Sequence, residues 1–166
     1  IKDDNGNEYK QPNPWQKETI TNDNLQSLIT DYVNNPESEQ FTSSSGYGDP
    51  KTWDVSQVTD MSYLFHTPAP NKNFNADIND WDVSNVTTME GMFYGSNFNK
   101  PIYKWNVSKV KNAKDMFYDW TGNQNISTSV QSRNGVEYLA WKFPSDSITT
   151  ELPFRNAKSF NNGVIL

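Results

Sequence analysis

Three near-copies of one motif occupy the middle of this 166-residue chain. They begin WDVSQV at Trp53, WDVSNV at Trp81 and WNVSKV at Trp105. Each continues with the same apolar spacing: Val58, Met61, Leu64 and Phe65, then Val86, Met89, Met92 and Phe93, then Val110, Ala113, Met116 and Phe117. Phe follows Trp by 12 residues every time. A second signature trails each copy: Phe74-Asn75-x-x-Ile78, Phe98-Asn99-x-x-Ile102 and Gly122-Asn123-x-x-Ile126, with the Asn positions 24 apart. The Trp spacing is 28 and then 24, and the four extra residues fall within His66–Asn73 (HTPAPNKN). Pro68 and Pro70 disfavour regular structure there, so a loop bulging from the edge is expected.

Repetition at this period implies units that bury their apolar faces against one another. The Val-Met-Met-Phe positions fall at i, i+3, i+6 and i+7, one stripe of a short helix. Ser56, Ser84 and Ser108 stand before it as N-caps. The stretch Ile78-x-x-Trp81-x-Val83 reads as extended. The expected fold is therefore an α/β repeat solenoid with one short strand and one short helix per coil. Trp53, Trp81, Trp105, Phe65, Phe93 and Phe117 are its expected core. Asn75, Asn99 and Asn123 are expected to point inward and form a ladder of amide bonds between coils; the alternative is a solvent-exposed turn.

The flanks divide the chain further. Residues 1–19 are a polar extension in which Asn5-Gly6 suits a tight turn. Residues 20–50 hold a capping helix and a loop. Over 20–33, Leu25, Leu28, Ile29, Tyr32 and Val33 keep helical spacing, with Thr21 or Asn22 as the cap. The three repeats fill 51–128. Ser129 then stands where a fourth Trp would fall, and 136–143 (VEYLAWKF) reads as a strand. NAKSF at 156–160 echoes NAKDM at 112–116, so 129–166 is expected to be a C-terminal cap or a degenerate fourth coil.

The string W-D-V-S-x-V-x-x-M-x-x-M/L-F…F-N-x-x-I-x-x-W resembles the repeat of the BspA-like surface proteins. The helix followed by Tyr47-Gly-Asp-x-x-Thr-Trp-Asp-Val-Ser56 is similar to the start of their repeat region. The resemblance covers about residues 20–128. It implies a leucine-rich-repeat-like fold, export or surface display, and adhesion to host proteins or cells. It carries no catalytic residues.

Composition narrows the function. A mean hydropathy of -0.86 beside 14% aromatic residues concentrates the apolar mass in a few large side chains, unlike a disordered chain. A net charge of -6 argues against nucleic acid and against a polybasic membrane anchor. No run reaches the length of a membrane span, so no membrane insertion is expected of this segment. The absence of Cys and the single His exclude disulfides, thiolate chemistry and multi-His metal sites. The chain begins at Ile1, which is compatible with a removed leader or a larger parent and says nothing about export.

No catalytic residue, metal or cofactor is expected. Asp54 and Asp82 occupy one repeat position, with Asn106 third, so they lie in a row and form no opposed acid–base pair. They read as turn or capping residues. His66 has no evident partner. Asp3–Glu8 (DDNGNE) lacks the register of a calcium loop. Sequons at Asn85, Asn106 and Asn125 leave glycosylation open. Aromatics outside the core stripe are the candidate binding residues: Tyr94 and Tyr118 at equivalent positions, His66 third in their row, and Trp120 and Tyr103; the alternative is packing between coils. Two functions compete. One is a non-enzymatic binding or adhesion module, extracellular or on a cell surface, recognising a protein or glycan. The other is a structural subunit of a virion, fibre or sheath, held by neighbouring subunits.

Overall fold

A computed structural model describes residues 17–124 and 126–144. The expected turn at Asn5-Gly6, the Asp3–Glu8 segment, the sequon at Asn125 and the echo at 156–160 lie outside these residues. Among the described residues, regular structure is confined to helix α1 (Leu25–Asn34), a single turn α2 (Glu39–Thr42), two 3-10 turns (Pro50–Thr52 and Pro70–Asn73) and an antiparallel hairpin of β1 (Ser129–Arg133) and β2 (Val136–Ala140).

The expectation of an α/β repeat solenoid with a strand and a helix in every coil is therefore overturned. The repeats are built from turns. The reason is a left-handed residue inside each apolar stripe: Tyr63 at φ 55°, Gly91 at φ 56° and Asp115 at φ 52°. An α-helix cannot carry that backbone conformation. The amides a helix would send four residues back go to the following repeat instead. Met61, Tyr63, Phe65 and Thr67 donate to the carbonyls of Thr88, Glu90, Met92 and Tyr94 at 2.8–3.0 Å. Met89, Gly91, Phe93 and Gly95 donate in the same way to Asn112, Lys114, Met116 and Tyr118. Nor is Ile78–Val83 a strand, because Trp81 N–H closes a turn onto the Ile78 carbonyl at 3.1 Å.

The WDVS segments are turns as well. Val58, Val86 and Val110 donate to the carbonyls of Val55, Val83 and Val107. Asp54, Asp82 and Asn106 each accept the N–H of the Ser two residues on, at 3.0–3.1 Å. The capping group is thus the Asx residue, not the Ser, and the motif makes an Asx-turn.

What these turns enclose is an aromatic core. Phe65, Phe93 and Phe117 stack in a row with centroids 5.3 Å apart at each step. Trp53 stacks on Trp81 at 6.2 Å. The indole N–H of Trp81 reaches the Pro50 carbonyl at 2.7 Å and that of Trp105 the Ile78 carbonyl at 3.0 Å. Each indole thus bonds the residue three before the preceding Trp, which satisfies a polar group that burial would otherwise leave costly.

Trp141 continues this series. It stacks on Trp105 at 6.0 Å, and its indole reaches the Ile102 carbonyl at 2.8 Å. The hairpin occupies residues 129–140, so the chain leaves where the fourth Trp is expected and returns 12 residues later to supply it. Asn134-Gly135, at φ 51° and 78°, is the tight turn between the strands.

α1 begins at Leu25, later than expected. Asn24 makes no cap bond; its side chain accepts the Thr21 N–H and donates to the Thr19 carbonyl, closing a turn ahead of the helix. Asn22 accepts the N–H groups of Thr59 and Asp60 and so ties this turn to the first repeat. Tyr32 of α1 packs edge-on to Trp53 and Phe41. The insertion is not the expected bulging loop either. Asn71 is buried, donating to the Leu64 carbonyl at 3.1 Å and accepting from Thr30 of α1 at 2.9 Å.

Candidate functional site

Tyr94 and Tyr118 follow equivalent core phenylalanines, so the alignment that stacks the phenylalanines also stacks the tyrosines. Their rings lie 4.7 Å apart with an 18° tilt, and both side chains are half-buried. The backbone reinforces the pairing, since Gly95 N–H donates to the Tyr118 carbonyl at 2.8 Å. Two nearly parallel phenol rings thus present part of their surface to solvent.

His66 does not extend this stack. Its ring stands edge-on to Tyr63 at 5.5 Å, and its Nδ1 is hydrogen-bonded to the Tyr63 carbonyl. Trp120 is corrected outright. It is fully buried against Phe93 and Phe117 and donates its indole N–H to the Phe98 carbonyl at 2.7 Å, so it has no surface to offer a ligand. Tyr103 is 40% exposed but sits in another turn, beside the Lys104–Asp80 ion pair of 2.7 Å. Among the described residues it makes no ring contact with the tyrosine pair.

Sequence reasoning missed Tyr63. It is 39% exposed and donates its hydroxyl to Glu90 Oε1 at 2.9 Å, while Asn112 donates to Glu90 Oε2 at 2.8 Å. The hydrogen bond to Glu90 holds the phenol above its ordinary range, with burial and the Glu90 charge adding to the effect. The ring lies over Gly91, where a Cβ would come within 2.2 Å of it. A Gly one repeat on, at the position equivalent to Tyr63, was the available signal.

Trp53, Trp81, Trp105, Phe65, Phe93 and Phe117 are all buried. Asn75, Asn99 and Asn123 are exposed, contrary to the inward-pointing expectation, yet they do form a ladder. Asn99 N–H donates to Asn75 Oδ1 at 2.8 Å, and Asn123 N–H to Asn99 Oδ1 at 3.0 Å. They tie the surface of the repeats and lie outside the core.

Asp54 and Asp82 serve their Asx-turns. The Ser56 side chain, then its backbone N–H, holds the Asp54 carboxyl below its ordinary value. Among the described residues no three His, Asp or Glu side chains gather as metal ligands would, and no helix is long and apolar enough to cross a membrane.

Tandem sequence repeats, an aromatic core and inter-repeat backbone bonds define a turn-built repeat protein with a paired-tyrosine surface. The chain belongs to the family described as Mycoplasma protein of unknown function, DUF285, which matches residues 36–164. No curated protein and no solved structure matches it.

Proposed function

We propose that this chain is a non-enzymatic binding module, displayed on a cell surface or otherwise outside the cell, that recognises a protein or glycan. The observation that carries the reading is the Tyr94–Tyr118 stack, two half-buried rings on a backbone fixed by inter-repeat bonds. Tyr anchors give large contact area at small entropic loss, and the net charge of -6 disfavours anionic partners. The likeness of the repeat string to BspA-like surface proteins points the same way.

The test is adhesion of the purified protein to host cells and immobilised matrix proteins. Changing both Tyr94 and Tyr118 to Ala is expected to weaken binding about tenfold or more, in line with the loss of an aromatic anchor. Unchanged binding by a folded double variant would overturn the tyrosine reading.

A second reading, a structural subunit of a virion, fibre or sheath, is favoured by one observation. Val130 and Leu139 face each other across the hairpin and are 63% and 46% exposed. Sedimentation at low micromolar concentration separates the readings: a monomer supports the binding module, an obligate oligomer the subunit.

A further inference from the structure

The hairpin creates a groove that the repeats alone do not have. Arg133, at the end of β1, donates from Nη1 to the Asp80 carbonyl at 3.1 Å and from Nη2 to the Trp81 carbonyl at 3.2 Å. The Tyr138 hydroxyl donates to the Lys104 carbonyl. These bonds hold the hairpin across the turns that open the second and third repeats. Between them lies a groove of about 250 Å³, lined by Asp82, Ser84 and Asn106 of the repeats and by Arg133, Asn134, Val136 and Tyr138 of the hairpin.

The polar wall has capacity to spare. Asp82 and Asn106 each use one side-chain oxygen for their own turn. A carboxylate oxygen of Asp82, the NH₂ of Asn106 and the Ser84 hydroxyl remain, and among the described residues none of them is engaged in another hydrogen bond. They supply acceptors and donors together, which suits a row of hydroxyls that donate and accept in turn. The hairpin adds apolar surface beside Arg133 and Asn134: Val136 is 68% exposed, and Tyr138 lines the groove with it. Charge also selects. Asp82 and Arg133 offset each other in the lining, and the guanidinium is already spent on two carbonyls. An anion meets Asp82 and the overall acidic field, while a cation meets Arg133. A neutral polyol meets neither. The volume is below the roughly 300–1,000 Å³ of pockets that enclose drug-sized ligands, so it fits one ring and no more.

We infer that this groove binds a single neutral sugar unit of a glycan, with Asp82, Ser84 and Asn106 taking its hydroxyls and Val136 and Tyr138 its C–H face. This deepens the binding-module reading and rests on it, but it places the sugar away from the tyrosine pair.

The experiment is a methyl NMR titration of the whole chain with methyl β-galactoside, methyl β-glucoside, methyl α-mannoside and N-acetylglucosamine, with glucuronate as the anionic control. At least one neutral sugar is expected to shift the Val136 methyl signals saturably, and glucuronate to leave them in place. Asp82→Asn keeps the turn bond, as Asn106 does in the third repeat, and Val136→Asp alters an exposed side chain. Each is expected to weaken the titration about tenfold, or 1.4 kcal/mol. No saturable shift with any of the four at up to about 50 mM overturns the inference. So does a titration that neither variant changes. The tyrosine double variant separates the two proposals: it is expected to titrate sugar normally while losing adhesion. Normal sugar titration with undiminished adhesion would sink the tyrosine reading and leave the groove standing.

Discussion

Gly91 holds a left-handed backbone (φ 56°) at a position where its neighbour repeats carry Tyr63 and Asp115. It is glycine because the Tyr63 ring covers it, with 2.2 Å to an added Cβ. Gly91→Ala is expected to combine about 1–2 kcal/mol of left-handed strain with that clash. Adding Tyr63→Ala removes the clash and leaves the strain. In urea unfolding, Gly91→Ala should therefore cost less in the Tyr63→Ala background than in the wild type. Equal costs in both backgrounds would mean that the ring is not seated there. Such left-handed sites were not legible in the sequence, because Tyr, Gly and Asp share no residue type. The buried Trp and Phe residues were legible, since spacing alone marks them. At the Asx-turns, Asp54 has a carboxyl held below its ordinary 3.8 by Ser56. A depressed value means stability present above the unfolded value and lost as pH falls through the folded one. Asp54→Asn keeps an uncharged acceptor, as Asn106 shows, so its urea midpoint should fall less than that of wild type between pH 7 and pH 3. An equal fall would place the acid sensitivity elsewhere.

Among the elements, the insertion and the hairpin differ most from what the sequence suggests. Prolines at 68 and 70 spoke for a loose loop, and a loop of that kind tolerates deletion. Asn71 changes the expectation, since its amide joins the Leu64 carbonyl to Thr30 of α1. Asn71→Ala should cost about 1–3 kcal/mol, the range for leaving buried groups unsatisfied. Chemical unfolding that shows no change would return the segment to the status of a loop. A buried Asn in a Pro-flanked stretch carries no periodicity, so nothing in the sequence marked it. The hairpin was half legible. Val136–Ala140 reads as a strand from its apolar and aromatic residues, whereas Ser129–Arg133 is mostly polar and declares itself only through the Asn134-Gly135 turn and its partner. The return of the chain at Trp141 depends on an insertion length that no local rule sets.

At the scale of the molecule, the period was legible and the backbone conformation of the repeats was not. A stripe at i, i+3, i+6 and i+7 is what a helix shows, but a repeating turn with one left-handed residue presents the same apolar positions inward. The two differ in where the backbone amides go, and side-chain pattern does not report that. The same alignment of repeats that places Phe65, Phe93 and Phe117 in one row places Tyr94 on Tyr118, so the candidate surface follows directly from the backbone bonds. Those bonds can be observed one at a time by NMR couplings across hydrogen bonds, from amide nitrogen to accepting carbonyl carbon. Cross-peaks are expected from Tyr63 to Glu90, Phe65 to Met92, Gly91 to Lys114 and Phe93 to Met116. Correlations from the same amides to carbonyls four residues earlier in the chain would mean helices in the repeats, and would contradict the account.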